Sequence, residues 1–137
     1  MTLRVTVILA AVASLTACGC GAKLNVSKSF SLPTQEGPAY VLVADPQPRD
    51  QEVSVSVEVT GDPVDVFVMK ATDLPADFTL VNEKERKGME AKALGSARTT
   101  KSATVTCSVP ANTDYRVVVL LDGKLGAKTQ GTVKLTN

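Results

Sequence analysis

The chain has 137 residues, 15 Lys plus Arg against 14 Asp plus Glu, and neither histidine nor tryptophan. So even a balance offers no long-range field to draw in DNA or RNA, so nucleic-acid binding is not expected. Without an imidazole there is no Ser-His-Asp or Cys-His nucleophile, no neutral-pH histidine base and no histidine metal ligand, so catalysis and a bound cofactor are not expected either.

Arg4 leads into an apolar run from Val5 to Leu15, and small residues then close on Cys18. A short cationic start, an apolar core too short to span a bilayer, and a small-residue site form the pattern of an export signal. Leu15-Thr16-Ala17-Cys18 resembles the lipobox of bacterial lipoprotein precursors. The resemblance implies cleavage before Cys18, diacylation of its sulfur, and frequent acylation of the new amino terminus. Gly19 stands where an aspartate would hold the product in the inner membrane, so the resemblance favours the outer membrane in a cell that has one. Two alternatives stay open on the residues alone: cleavage without lipidation, best placed after Ala22, and a Cys18 that is simply buried or bridged. Loss of residues 1–17 removes one basic residue and leaves a formally neutral chain.

Gly19–Lys28 reads as a short tether, giving a lipidated linker over 18–28 and one domain over 29–137. Weak strands are expected at Ser27–Leu32 and Ala39–Ala44, separated by the turn-rich Pro33–Pro38, with a loop at Asp45–Asp50. Val53, Val55, Val57 and Val59 alternate with polar residues, so this strand buries one face. After the Gly61-Asp62-Pro63 turn, Val64–Lys70 is apolar on both faces around Val66-Phe67-Val68-Met69, which predicts a central or covered strand.

Phe78–Val81 reads as a further strand. Asn82–Leu94 reads as the one helix, with Asn82 as cap, Glu85 at the capping-box position and Gly95 as its end; a charged hairpin loop is the alternative. Ala103, Val105, Cys107 and Val109 repeat the alternating pattern, and Tyr115–Leu121 follows as an apolar strand. Asp122-Gly123 predicts a tight hairpin to a returning strand over Leu125–Leu135, whose Lys128 and Lys134 suit a sheet edge and whose Gly126 and Gly131 suit bulges. Seven or eight short strands predict an all-β antiparallel sandwich.

Val64-Asp65-Val66-Phe67-Val68 and the later Val109-Pro110-Ala111-Asn112-Thr113-Asp114-Tyr115 resemble bacterial pre-peptidase C-terminal and GOLD-like jelly-roll domains. Val109–Val117 also resembles the turn before the tyrosine strand of fibronectin type III domains, though this chain has no tryptophan for their core. Both resemblances imply binding, adhesion or accessory modules, and a fold licenses no activity by itself. Tyr115 is expected to fill the core with its hydroxyl bonded to a nearby backbone group.

Candidate chemistry is sparse. Asp45, Asp50, Asp62 and Asp65 sit in loops or at strand starts, where they either bond their own backbone or gather around calcium. As an acid–base pair they would need a shared cleft. Lys84, Arg86, Lys87 and Lys92, interleaved with Glu83, Glu85 and Glu90, read as a solvated, self-paired surface or as a partner-docking segment. Cys20 and Cys107 are left either to pair or, for Cys107, to pack as a small buried thiol. The functional expectation is a membrane-anchored envelope lipoprotein, attached through Cys18, whose non-catalytic sandwich binds an envelope protein or polymer or serves a structural role. The alternative is an accessory subunit or inhibitor of an envelope enzyme or transport complex.

Overall fold

The computed structural model describes residues 23–79, 81–122 and 124–137. Eight antiparallel strands form two four-stranded sheets. The strands are β1 (Asn25–Leu32), β2 (Ala39–Ala44), β3 (Gln51–Gly61), β4 (Val64–Lys70), β5 (Gly95–Thr100), β6 (Ser102–Val109), β7 (Tyr115–Leu121) and β8 (Thr129–Thr136). Among the described residues one helix of more than one turn, α1 (Glu83–Lys92), is present, and it precedes β5. The first sheet runs β1-β8-β3-β6 and the second β2-β7-β4-β5. The expected sandwich is therefore present, and β1 starts inside the segment read as tether, so Asn25 to Lys28 belong to a sheet.

The core follows from side-chain alternation. Val53, Val55, Val57 and Val59 of β3, Val105, Cys107 and Val109 of β6, and Val133 and Leu135 of β8 face inward from the first sheet. Val64, Val66 and Val68 of β4 and Tyr115, Val117, Val119 and Leu121 of β7 meet them from the second. The two central strands of the second sheet are apolar on the reverse face too. There Phe67, Met69, Val118 and Leu120 form a second cluster, closed by Met89 of α1 and flanked by Leu74, Phe78 and Val81. Two-sided burial explains why β4 and β7 read as continuous apolar runs while β3 and β6 alternate.

Four expectations fail for identifiable reasons. The hairpin expected at Asp122-Gly123 does not pair β7 with β8, which lie in different sheets; Gly123 itself lies outside the described residues, and Asp122 N donates to Pro63 O at 3.2 Å. β8 is consequently not an edge but lies between β1 and β3, its Lys134 on the wet face. Gly131 marks no bulge, because it pairs in unbroken register with both Phe30 and Val59. A Cβ there would stand 2.1 Å from Glu58 O, so glycine is required by close strand approach. Gly126 lies in the crossing loop, not in β8. The Phe78–Val81 strand is absent: Phe78, Thr79 and Val81 follow an irregular path, with Asp77 Oδ1 accepting from both Thr79 N (2.8 Å) and Thr79 Oγ1 (2.7 Å).

Tyr115 fills the core as expected, but its hydroxyl has no hydrogen-bond partner among the described residues. Burial, and then the neighbouring Cys107, push the phenol pKa up. A buried polar atom without a partner costs about 1–3 kcal/mol. Tyr115→Phe is therefore expected to leave stability unchanged or raise it by about 1 kcal/mol, measured by urea denaturation; a loss above that would mean the hydroxyl is paired in solution.

Candidate functional site

The densest set of charged side chains lies on the outer face of the second sheet. Asp65 is the second residue of β4, with its neighbours Val64 and Val66 turned into the core, so its carboxylate points outward beneath α1. At this point β4 and β5 lose register: Val64 pairs with Thr100 and Val66 with Ala97, leaving Arg98 and Thr99 opposite the single Asp65. This is a β-bulge, and Thr99 takes a positive φ of 49° within it. The carboxylate closes the gap, since Thr99 N donates to Asp65 Oδ1 at 2.7 Å.

Two arginines converge on the same group. Arg86 of α1, buried like Asp65, donates from Nη1 to Asp65 Oδ2 at 2.7 Å and from Nη2 to Leu121 O at 2.9 Å. Arg98 Nε stands 3.0 Å from Oδ2, but not aligned to donate, so that contact is ionic. The outer nitrogens of Arg98 reach Glu83 at 3.0 Å and Glu90 at 3.4 Å on α1. Burial works to lower the Arg98 pKa, but its bonds to Glu83 and the charge of Asp65 outweigh it and hold the guanidinium above its ordinary value.

The helix itself forms where the sequence places it. Asn82 Oδ1 accepts from Glu85 N at 3.0 Å while Glu85 Oε2 accepts from Asn82 N at 2.8 Å, a complete capping box. The helix stops at Lys92, and Gly95, expected as its end, instead opens β5. A Cβ at Gly95 would meet Val105 Cγ1 at 2.7 Å, which is why that position is bare. Lys84, Lys87 and Lys92 are exposed as expected, but Arg86 is not part of a solvated face. Glu83 and Glu90 pair with β5 rather than within the helix. The charged segment is thus a docked element of the domain.

The four aspartates are not brought together. Asp50 Oδ1 accepts from Ala111 N (2.7 Å) and Asp62 Oδ2 from Lys128 N (2.8 Å), each fastening a turn. Asp45 contributes its backbone carbonyl to Gln47 Nε2. Strand order puts Asp45 and Asp50 at one end of the sandwich and Asp62 at the other. Among the described residues no three potential metal ligands cluster, so the calcium and acid–base readings find no site. Cys107 is a free, buried thiol whose pKa is pushed up by burial, which makes it a poor nucleophile. Cys18 and Cys20 lie outside the described residues.

The described residues also line open grooves, of which two bear on binding. One, about 880 Å³, crosses the wet face of the first sheet and is lined by the hydroxyls of Ser29, Ser31, Thr60, Ser102 and Thr132 with Gln130, Glu58 and Lys101. Lys101 is exposed, whereas a lysine acting as base needs desolvation. The other, about 550 Å³, runs beside β2 between Thr34–Gly37 and Ala76–Phe78. Sequence reading missed this second groove because its walls come from two loops distant in the chain.

No protein-family profile matches the chain, and no curated protein does. Among solved structures the sandwich is similar to PliG of Aeromonas hydrophila, a periplasmic inhibitor of g-type lysozyme, at 15% identity and TM-score 0.43. The match covers 85% of this chain and 87% of that one.

Removing Asp65 strands a buried guanidinium. Asp65→Ala is expected to cost about 3–5 kcal/mol by denaturant unfolding, while Asp65→Leu combined with Arg86→Met recovers most of that loss. Equal damage in both variants would show that the apolar packing under α1, not the ion pair, sets the cost. Cys107 should resist maleimide labelling in the native protein and react only after unfolding.

Proposed function

We propose that the chain is a bacterial envelope lipoprotein, fixed to a membrane through acylated Cys18 and presenting a non-catalytic β-sandwich that binds an envelope protein or polymer. The observation that carries this reading is the Leu15–Cys18 box standing just seven residues before the first strand at Asn25. Seven residues reach about 25 Å at most, so the anchor would hold the domain close to the bilayer. Two acyl chains suffice for stable attachment where one does not. In keeping with a binding role, Asp50, Asp62 and Asp65 are committed to holding turns and α1 in place.

Mass spectrometry of the amino-terminal peptide tests the anchor directly: the expected product starts at Cys18 and carries diacylglycerol. Cys18→Ser is expected to accumulate as an uncut or soluble form. Membrane fractionation identical to the parent would end the assignment. Affinity capture from envelope extract tests the role, and recovery of one stoichiometric enzyme or transport complex would favour an accessory subunit or inhibitor over a general binding module.

A further inference from the structure

β2 leaves one edge of its sheet unpaired among the described residues. In the antiparallel ladder with β7, Leu121 N donates to Pro38 O at 2.9 Å, and the pairs Tyr40–Val119, Leu42–Val117 and Ala44–Tyr115 follow in step. Hydrogen-bonded and non-hydrogen-bonded pairs alternate, so Ala39, Val41 and Val43 direct their N–H and C=O groups away from β7. β2 is the terminal strand of its sheet, and among the described residues no strand pairs with that side.

Other edges carry devices that discourage pairing or have a neighbour packed against them. β5 is broken by the bulge opposite Asp65 and bears Arg98. β1 carries Lys28. β6 carries no such device but has β5 packed against it, so close that a Cβ at Gly95 would stand 2.7 Å from Val105 Cγ1 and 3.0 Å from Cys107 Cβ. β2 has no charge, proline or bulge: it reads Ala-Tyr-Val-Leu-Val-Ala, with Val43 60% exposed.

The groove beside this edge defines the occupant. Among the described residues its charged lining is Glu36 and Asp77, with no basic residue. Hydrogen bonds from the Thr79 side chain and backbone hold the Asp77 carboxyl below its ordinary pKa. The Ala39 end of the edge is therefore negative, while the Val41–Val43 end is small and apolar. We propose that β2 binds an extended segment of a partner protein by strand addition, antiparallel to β2. The segment carries β-branched side chains opposite Val43 and Val41 and lysine or arginine at its C-terminal end, beside Glu36 and Asp77. Main-chain bonds to Ala39, Val41 and Val43 would supply affinity, and the acidic end would supply direction.

A second copy of this chain fits less well. Symmetric pairing about Val41 sets Asp45 of one copy opposite Gly37 of the other, against Glu36 and Asp77, and like charges in such positions repel. The inference rests on the binding-module part of the reading above and is independent of the anchor.

The test uses the full processed protein in detergent. Two synthetic peptides of alternating threonine and valine serve as probes, one ending in two lysines and the other in two glutamates. The lysine-ended peptide is expected to bind with amide shifts centred on Ala39, Val41 and Val43, and about tenfold more tightly than the other. Val43→Pro removes an N–H that β7 does not use, and is expected to keep the circular dichroism spectrum while weakening the peptide about tenfold. Should that variant unfold, Val43→Lys blocks the same edge at an exposed position. Glu36→Lys should reverse the order of the two peptides. Equal affinity for both peptides, shifts elsewhere, or unaltered binding by the Val43 variants would overturn the proposal and leave the Cys18 anchor untouched. Dimerisation that Val43→Lys abolishes, without peptide uptake, would also overturn it and assign the edge to a second copy.

Discussion

One carboxylate organises the outer half of the second sheet. Asp65 is 2% exposed and meets Arg86, Arg98 and the backbone of Thr99 within 3.0 Å. It thereby joins α1, the bulged edge β5 and its own strand β4. The arginines extend the frame outward, Arg86 to Leu121 O at the end of β7 and Arg98 to Glu83 and Glu90 on the helix. Buried ion pairs add little net stability over apolar packing, yet removing one partner is costly. The arrangement therefore works as a positional lock. It fixes where α1 lies over Phe67, Met69, Val118 and Leu120, a patch that would otherwise be exposed.

The two sheets divide the labour. The first has a wet outer face of serine and threonine rows, including the Ser54–Thr106 and Ser56–Thr104 cross-strand hydroxyl pairs at 3.1 and 3.2 Å. Its inner face alone is apolar. The second is apolar on both sides and must be covered, which is the role of α1 with Leu74, Phe78 and Val81. That cover leaves Val43 bare near the end of β2, so the edge facing the second groove is a consequence of where the lock places the helix and its leading loop.

What the sequence made legible was local. Valine alternation in β3, the two-sided apolar run of β4 and the Asn82–Glu85 capping box each depend on residues close in the chain, and each forms as read. The failures are long-range. β5 has the sequence Gly-Ser-Ala-Arg-Thr-Thr, with neither period nor β-rich apolar face, and becomes a strand because β4 and Asp65 recruit it. Asp122-Gly123 has the composition of a tight turn, but the apolar faces of β7 and β8 belong to opposite sheets, which no two-residue turn can serve. The Arg86–Asp65 contact spans 21 positions and was hidden inside an apparently solvated charge run. A lone acid near the start of an apolar strand was its one available signal, since such a group needs a buried partner.

The ends of the described chain are neighbours. Leu24 N donates to Asn137 Oδ1 at 2.6 Å, and Asn137 Nδ2 reaches Gln51 Oε1 at 3.0 Å. A few residues of linker would therefore join Leu24 to Asn137 without disturbing either sheet, and new ends opened around the fully exposed Leu125 would fall where the backbone crosses between sheets. The sandwich is thus a natural candidate for circular permutation, with its strand pairings preserved under a different order of synthesis.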